Sequence, residues 1–304
     1  MANSIVSIIL IIFIGYVFAF LDRNRKNTEN ALNKYLYYLA LPLTIFVSTY
    51  SLDTKFITLN FVLINSIPLL LIFFVVYLLC CIKVLKLDFA RTLIITSTLG
   101  NLVYLGFVMV SLTAGSSNLG TAAFVSAIQN IVVFTFGIFF LNLLSYENNI
   151  KKTIISKTLE NPLIISSVLG IFFACFHIQL PDFISNIFKE FSKSTSVVAL
   201  FIIGMGLYGK KINIINIKKI LVISFFKMII LPFIVLCWIY ISKDLSVSSY
   251  VTFIQYTMPP AAACYVLAYK LNLEADVIAE CIVFDTLLYF ALFPAYLYLA
   301  ALIF

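Results

Sequence analysis

The chain contains long apolar segments separated by short polar loops, and this pattern restricts the fold more than any other feature. An α-helix needs roughly 20 residues, and at least about 17, to cross the hydrocarbon of a bilayer. Apolar runs of this order fall at about 5–21, 31–50, 60–82, 89–112, 119–144, 161–178, 193–208, 218–241, 247–270 and 275–303. The sequence therefore predicts an all-α membrane protein with ten transmembrane helices.

Composition excludes a soluble globule. Of the 304 residues, 63% are hydrophobic and only 11% are charged, which leaves too little polar surface to cover a soluble domain. The net charge of +7 does not indicate a nucleic-acid partner, because the basic residues lie in short loops and not on one face. The bilayer is the predicted partner of most of the surface.

The distribution of the basic residues predicts the orientation of the chain. Lys and Arg near the ends of spans resist translocation and stay in the cytoplasm. Most of them lie in the loops after spans one, three, five, seven and nine. The opposite loops hold only Lys55, Lys189, Lys193 and Lys243. We therefore expect a multi-pass protein of the cell membrane with both termini outside.

A hydrophilic segment divides the chain into two halves. "SYENNIKKTIISKTLE" separates five predicted spans from five others, giving a first repeat at 1–145, a cytoplasmic linker at 146–160 and a second repeat at 161–304. Because each half has an odd number of spans, the halves would insert with opposite orientations. This arrangement is an inverted-topology repeat, which is common in secondary transporters.

Helix-breaking residues recur at the same rank in both halves. Span four contains "LGNLVYLG" with Gly100 and Gly106, and span nine contains "MPPAAACYVLA" with Pro259 and Pro260. Each proline lacks a backbone donor and its ring clashes with the preceding turn. Matching interrupted helices indicate a transporter site near the bilayer midplane. The alternative is that the glycines only allow close packing and the prolines only kink the helix.

A polar pair also recurs. Span five holds Gln129 and Asn130, and span ten holds Asp285 and Thr286 at nearly the same distance from the helix start. Superposing Asn130 on Asp285 places Asn101 of the first break next to the proline break. We therefore expect the polar groups of both halves to lie at one level.

Asp285 and Lys227 are the ionisable residues within the predicted spans that most suggest function. A carboxylate inside a membrane is costly and needs a partner, and Lys227 in "SFFKMIILP" is the candidate. Each lies roughly 10–15 Å from the cytoplasmic end of its helix at the helical rise of ~1.5 Å per residue. The alternative for Lys227 is that its long side chain extends to the membrane surface.

The sequence indicates no metal site, no cofactor and no enzyme. The six cysteines lack C-x-x-C spacing, and H-E-x-x-H and G-x-S-x-G motifs are absent. The cysteines fall in or at the ends of spans, where they are expected to be small buried residues.

Motifs along the whole chain resemble the auxin efflux carrier family of bacterial and plant transporters, to which the plant PIN auxin exporters belong. They are, in order, "YLALPLTIF", "GNLVYLG", "QN", "NPLIISSVLG", "LFIIGMGL", "KMIILP" and "MPPAAACYVLA". Val108 departs from the pattern, since the family usually has a proline there. Asp285 stands where the family has a small hydroxyl or apolar residue, so the resemblance assigns it no role.

The resemblance implies a ten-helix fold with broken, crossing fourth helices, similar to bile-acid symporters and sodium/proton antiporters. Helices one, two, six and seven would form a scaffold, commonly dimeric, and the others an elevator-like transport domain. Family substrates are small organic anions such as auxin, malate or malonate. Backbone amides at Val103–Gly106 and Ala261–Cys264 would then face a carboxylate.

The leading hypothesis is a secondary transporter of a small carboxylate, possessing no cofactor, working as a homodimer and coupled to protons or sodium. Two alternatives remain open: a cation-coupled carrier of a neutral or cationic solute that uses Asp285 as its counter-charge, and a membrane receptor that does not transport. Asp285 and Lys227 are assigned to coupling or charge balance. The predicted substrate-binding residues are Asn101, Tyr104, Gln129, Asn130, Pro259, Pro260 and Ala261.

Overall fold

A computed structural model describes residues 2–50, 58–144, 162–208 and 216–304. Within these ranges the regular elements are helices, apart from one isolated β-bridge between Gly100 and Pro260. The prediction of an all-α chain is confirmed for this described part. The predicted linker at 146–160 lies outside the described residues.

The first half of the chain forms helices that are partly continuous with one another. They are α1 (Ala2–Leu21), α2 (Arg25–Tyr35), α3 (Leu41–Tyr50), α4 (Leu59–Cys81), α5 (Leu87–Thr98), α6 (Phe107–Thr113), α7 (Leu119–Val132) and α8 (Ile138–Leu143). Wide π turns join α2 to α3 over Leu36–Ala40 and α7 to α8 over Val133–Gly137, and a third, Leu102–Gly106, leads into α6.

The second half repeats this style of construction. Its helices are α9 (Pro162–Cys175), α10 (Asp182–Leu207), α11 (Ile217–Ser224), α12 (Leu231–Ser242), α13 (Val247–Tyr256), α14 (Ala263–Leu271) and α15 (Ala275–Ile303). A π turn over Phe225–Ile230 joins α11 to α12. Pro232 is the second residue after that turn, and Pro42 stands at the same distance after the turn between α2 and α3. Each proline lacks the N–H for a regular helical bond, and the turn before it widens.

Four helices of the described part are long and apolar enough to cross a membrane by length and composition. They are Leu59–Cys81, Gly120–Leu143, Ile217–Ser242 and Ala275–Ile303. Every other predicted apolar run also contains helix, but the count of ten spans stays a prediction.

Some helix ends differ from the sequence prediction. α2 begins at Arg25 and α10 begins at Asp182, several residues before the apolar runs that predicted them. The early segment of α2 is polar, and that of α10 mixes apolar residues with charged and polar ones, so neither stands out as an apolar run although its backbone is helical. α9 ends at Cys175, and His177 beyond it adopts a left-handed conformation with φ 51°.

The helices pack in two groups. In group one, which comprises α1–α3, α9 and α10, α1 lies along α10 and α3 packs against α9 and α10. In group two, which comprises α4–α8 and α11–α15, α4 contacts α5, α7, α12 and α13. The groups meet where α3 contacts α7 and where α10 contacts α14 and α15.

Two glycines bring the backbones of α1 and α10 into direct contact. A Cβ atom at Gly15 would overlap the carbonyl oxygen of Phe201, and a Cβ atom at Gly204 would overlap that of Ile12. Small residues allow such approach between membrane helices, where dispersion contacts replace the hydrophobic effect as the source of association. Both glycines are therefore required for the packing of group one.

We predict that Gly204→Val separates α1 from α10 and lowers the free energy of unfolding by about 1–3 kcal/mol, the usual cost of overpacking. The measurement is the melting temperature of purified protein in detergent. Gly120→Val is the matched control, because a Cβ atom there meets nothing within 4 Å. Equal melting temperatures for the two variants would contradict the close contact.

Candidate functional site

The two interrupted helices pair with each other through their backbones. Asn101 N–H donates to the carbonyl oxygen of Pro259 at 2.8 Å, and Ala261 N–H donates to the carbonyl oxygen of Leu99 at 2.9 Å. We call this antiparallel pair, with Gly100 opposite Pro260, the crossing. It provides hydrogen-bond partners for four backbone groups that the helix breaks leave without partners in their own helices.

The second break follows directly from its sequence. Pro259 and Pro260 have no N–H groups, so α13 ends before them. The chain then turns, and α14 begins with Cys264 N–H donating to the carbonyl oxygen of Ala261 at 3.0 Å. The first turn of α14 therefore begins at the crossing.

The first break has no proline and depends on Gly100 and Asn101. The Asn101 side-chain oxygen accepts from Leu105 N–H at 3.3 Å, and its backbone oxygen accepts from Gly106 N–H at 3.0 Å. Asn101 thus caps the wide turn that leads into α6, and its side chain replaces part of the missing helical bonding.

A cavity lies between the crossing and group one. Its volume is about 80 Å³, which is room for several water molecules. The residues that line it are uncharged. Its polar side chains come from both groups and are those of Thr44, Asn101, Asn130 and Thr195, and Ala261–Ala263 at the start of α14 complete one wall.

Thr44 of α3 and Thr195 of α10 close the cavity on the side of group one. Their hydroxyl oxygens are 2.8 Å apart and hydrogen-bonded. The Thr44 hydroxyl also donates to the carbonyl oxygen of Ala40 at 2.7 Å. Asn101 and Asn130, which are half-buried, stand on the side of group two.

The structure separates Gln129 from its neighbour Asn130. The Gln129 amide donates to Asn65 Oδ1 at 3.2 Å, and Asn65 in turn donates to Thr252 Oγ1 at 3.3 Å. Gln129 is buried in this network and does not line the cavity. Its predicted role in substrate binding stays a prediction.

The other predicted residues are placed as follows. Pro259 and Pro260 are buried in the crossing, while Ala261 reaches the cavity. Gly106 packs against the side chain of Gln255, which a Cβ atom there would overlap. The backbone of Tyr104 belongs to the wide turn, and its side chain lies outside the described structure.

Comparison with known families identifies the family of the chain. A family model described as a membrane transport protein matches residues 1–299. The chain belongs to the auxin efflux carrier family. This is a family of membrane transporters and not of enzymes, which confirms the prediction at that level. A comparison with curated proteins finds no match to the chain.

In this transporter, Lys227 lies behind the crossing, which means next to Gly100 but outside the cavity lining. It sits on the π turn between α11 and α12 with a side chain only 1% exposed. A Cβ atom at Gly100 would be 3.0 Å from its Nζ atom. The absence of a side chain at Gly100 therefore gives the ammonium group access to the back of the crossing.

Asp285 of α15 is fully buried next to α11. Its carboxylate accepts hydrogen bonds from the hydroxyl group of Ser224 and, at 3.4 Å, from the thiol of Cys281. Lys227 and Asp285 attract each other electrostatically, but they do not form an ion pair within 4.0 Å.

The residues that the structure describes also contain no group of three or more His, Cys, Asp or Glu side chains that could hold a metal ion.

Sequence reasoning missed Thr44, Thr195 and Gln255. Both threonines belong to helices of group one that the break pattern does not mark, and threonine is common within helices. Gln255 is 0% exposed, and neither polar atom of its amide has a hydrogen-bond partner among the described residues. Its position in α13, four residues before Pro259, was the available signal.

We predict that Lys227 and Asp285 are energetically coupled. Lys227→Met and Asp285→Asn should each lower the melting temperature, because each leaves the other charge buried without compensation. The double variant should be more stable than the sum of the two losses implies, with an interaction energy of about 0.5–3 kcal/mol. Strictly additive losses in the double-mutant cycle would show that the two charges act independently.

Proposed function

We propose that this transporter moves a small organic anion with a carboxylate group by alternating access, with the cavity at the crossing as its binding site. The observation that supports this most is the composition of the cavity walls. They combine amide and hydroxyl side chains with the first turn of α14, and they contain no carboxylate. A small cavity of this kind suits a small polar solute.

The start of α14 favours an anion. Among the described residues, the backbone N–H groups of Ala262 and Ala263 donate no backbone hydrogen bond, and both residues line the cavity. Free N–H groups and the positive end of the helix dipole attract carboxylates. Asn101 and Asn130 on the opposite wall would orient the bound group through their side-chain amides.

Lys227 adds positive charge behind this site. Its ammonium group is separated from the cavity by the backbone of Gly100, where little solvent screens it. Asp285 is held by Ser224 and Cys281 and does not line the cavity. This placement favours an anionic substrate over a cationic one that would need Asp285 as its counter-charge.

Alternating access is proposed to come from movement between the two helix groups. The cavity lies between them, so a displacement of group two against group one would expose it to either side. The proposal includes ten spans in two inverted repeats, at 1–145 and 161–304, in the plasma membrane with both termini outside. It also includes a homodimer formed through group one, and transport driven by protons, sodium ions or the membrane potential.

Transport should depend on the two cavity amides. We predict that Asn101→Ala and Asn130→Ala each reduce carboxylate transport about tenfold or more, as expected for the loss of a hydrogen bond to a charged group. The measurement is solid-supported-membrane electrophysiology on proteoliposomes with a panel of mono- and dicarboxylates. Asn27→Ala, at an exposed position of α2, is the control and should behave as wild type. Unchanged currents in both cavity variants would rule out this site.

Asp285 separates the proposal from its main alternative. For an anion carrier, Asp285→Asn should preserve substrate affinity and change mainly the dependence of transport on the pH gradient. For a carrier of a cationic solute, the same variant should abolish substrate affinity. The measurement is the concentration dependence of the current at several pH values, with the protein shown to be folded by its melting curve.

A further inference from the structure

A second pocket lies between α2 and α14, toward the side of the chain whose loops contain most of the basic residues. Its volume is about 340 Å³. We call it the vestibule. Its lining includes Asn30, Asn33, Lys34, Tyr38, Val266, Tyr269 and Lys270.

The two walls of the vestibule belong to different helix groups. Asn30, Asn33 and Lys34 follow helical spacing on α2 of group one, and Tyr269 and Lys270 lie on α14 of group two. Residues three and four apart share one face of a helix. The vestibule is therefore formed by two facing helix surfaces that would move relative to each other during transport.

The charge of the vestibule favours an anion. Two lysines line it and no carboxylate does. The ammonium group of Lys270 donates to the hydroxyl oxygen of Tyr38 and lies 4.8 Å from the centre of that ring. Both lysine side chains are exposed to solvent, so the attraction should be sensitive to salt.

Asn33, which lines the same pocket, has a buried acceptor without a partner among the described residues. Its side-chain nitrogen donates to the carbonyl oxygen of Glu29 at 3.0 Å. Its Oδ1 atom has no hydrogen-bond partner in the described part of the chain, and the residue is only 6% exposed. An unpaired buried acceptor is costly, and a donor on a bound solute would satisfy it.

A buried carboxylate links α2 to α14 beside the vestibule. The Tyr265 hydroxyl donates to the buried carboxylate of Glu29 at 2.8 Å, and Tyr269 donates to the same oxygen at 2.7 Å. Gly206 of α10 lets the Tyr265 ring approach, because a Cβ atom there would overlap the hydroxyl oxygen. The vestibule reaches Val266, three residues along α14 from the cavity wall at Ala263, a rise of about 5 Å.

We propose that the vestibule is a second binding site for the transported solute, specific for a small carboxylate that also carries a hydroxyl or amino donor. Lys34 and Lys270 attract the carboxylate, and Asn33 accepts from the donor. This inference rests on the proposed function, because it treats the vestibule as the place where solute binds before it reaches the cavity at the crossing. Malate and succinate test it well, since they differ by one hydroxyl group.

The experiment measures protection of a vestibule cysteine. Asn30→Cys, with the exposed Cys81 and Cys175 changed to serine, is labelled with a charged maleimide in the presence of malate or succinate. We expect malate to slow labelling, and succinate to require about a tenfold higher concentration because it lacks the donor for Asn33. Lys34→Gln combined with Lys270→Gln should remove protection, and Lys218→Gln, an exposed charge on the same side, should retain it.

The outcomes separate the vestibule from the site at the crossing. Protection that survives Asn101→Ala supports an independent vestibule site, whereas loss of protection in that variant overturns it. If carboxylates are transported but malate never protects the cysteine, the vestibule site is wrong and the proposed function stands. If malate protects but no carboxylate is transported, the vestibule binds the anion, but the proposed function fails and with it the role of the vestibule in transport. Melting curves establish that each variant is folded.

Discussion

The two backbone hydrogen bonds between Asn101 and Pro259 and between Ala261 and Leu99 are the constraint on which the site depends. Inside a bilayer no water is available to a broken helix, and each unpaired backbone group costs several kcal/mol. Neither break would be stable alone, but each supplies the hydrogen-bond partners that the other lacks. The pairing fixes both interruptions at one level and directs the first turn of α14 toward the cavity.

The sequence predicted the existence and the location of both breaks, because prolines, glycines and an asparagine leave a recognisable mark in an apolar helix. It did not predict which side chains face the cavity. Gln129 and Asn130 are adjacent, and adjacent residues on a helix point about 100° apart. One lines the cavity and the other binds Asn65. Thr195 was missed because its role comes from tertiary contact with another helix.

The buried charges illustrate the same limit. Counting residues placed Lys227 and Asp285 at similar depth, which suggested a pair. The structure gives each its own surroundings: Asp285 has the hydroxyl and thiol donors of Ser224 and Cys281, and Lys227 lies against the backbone of Gly100. The packing of α11, α12 and α15 determines these surroundings. The position of a residue along its own helix does not reveal how that helix packs against others.

The π turn over Phe225–Ile230 has a consequence for how this chain tolerates changes in length. A π turn holds one more residue than a regular α-helical turn, and such turns are frequent at functional sites. Because the π turn already holds the extra residue, removing one residue other than Lys227 from it would restore a regular α-helical turn and leave the helices on either side with nearly their present faces. Removing a residue from the regular part of α11 or α12 would instead rotate everything beyond it by about 100°. The π turn is thus the place where this helix can lose a residue without turning the surfaces that pack on α4 and α15.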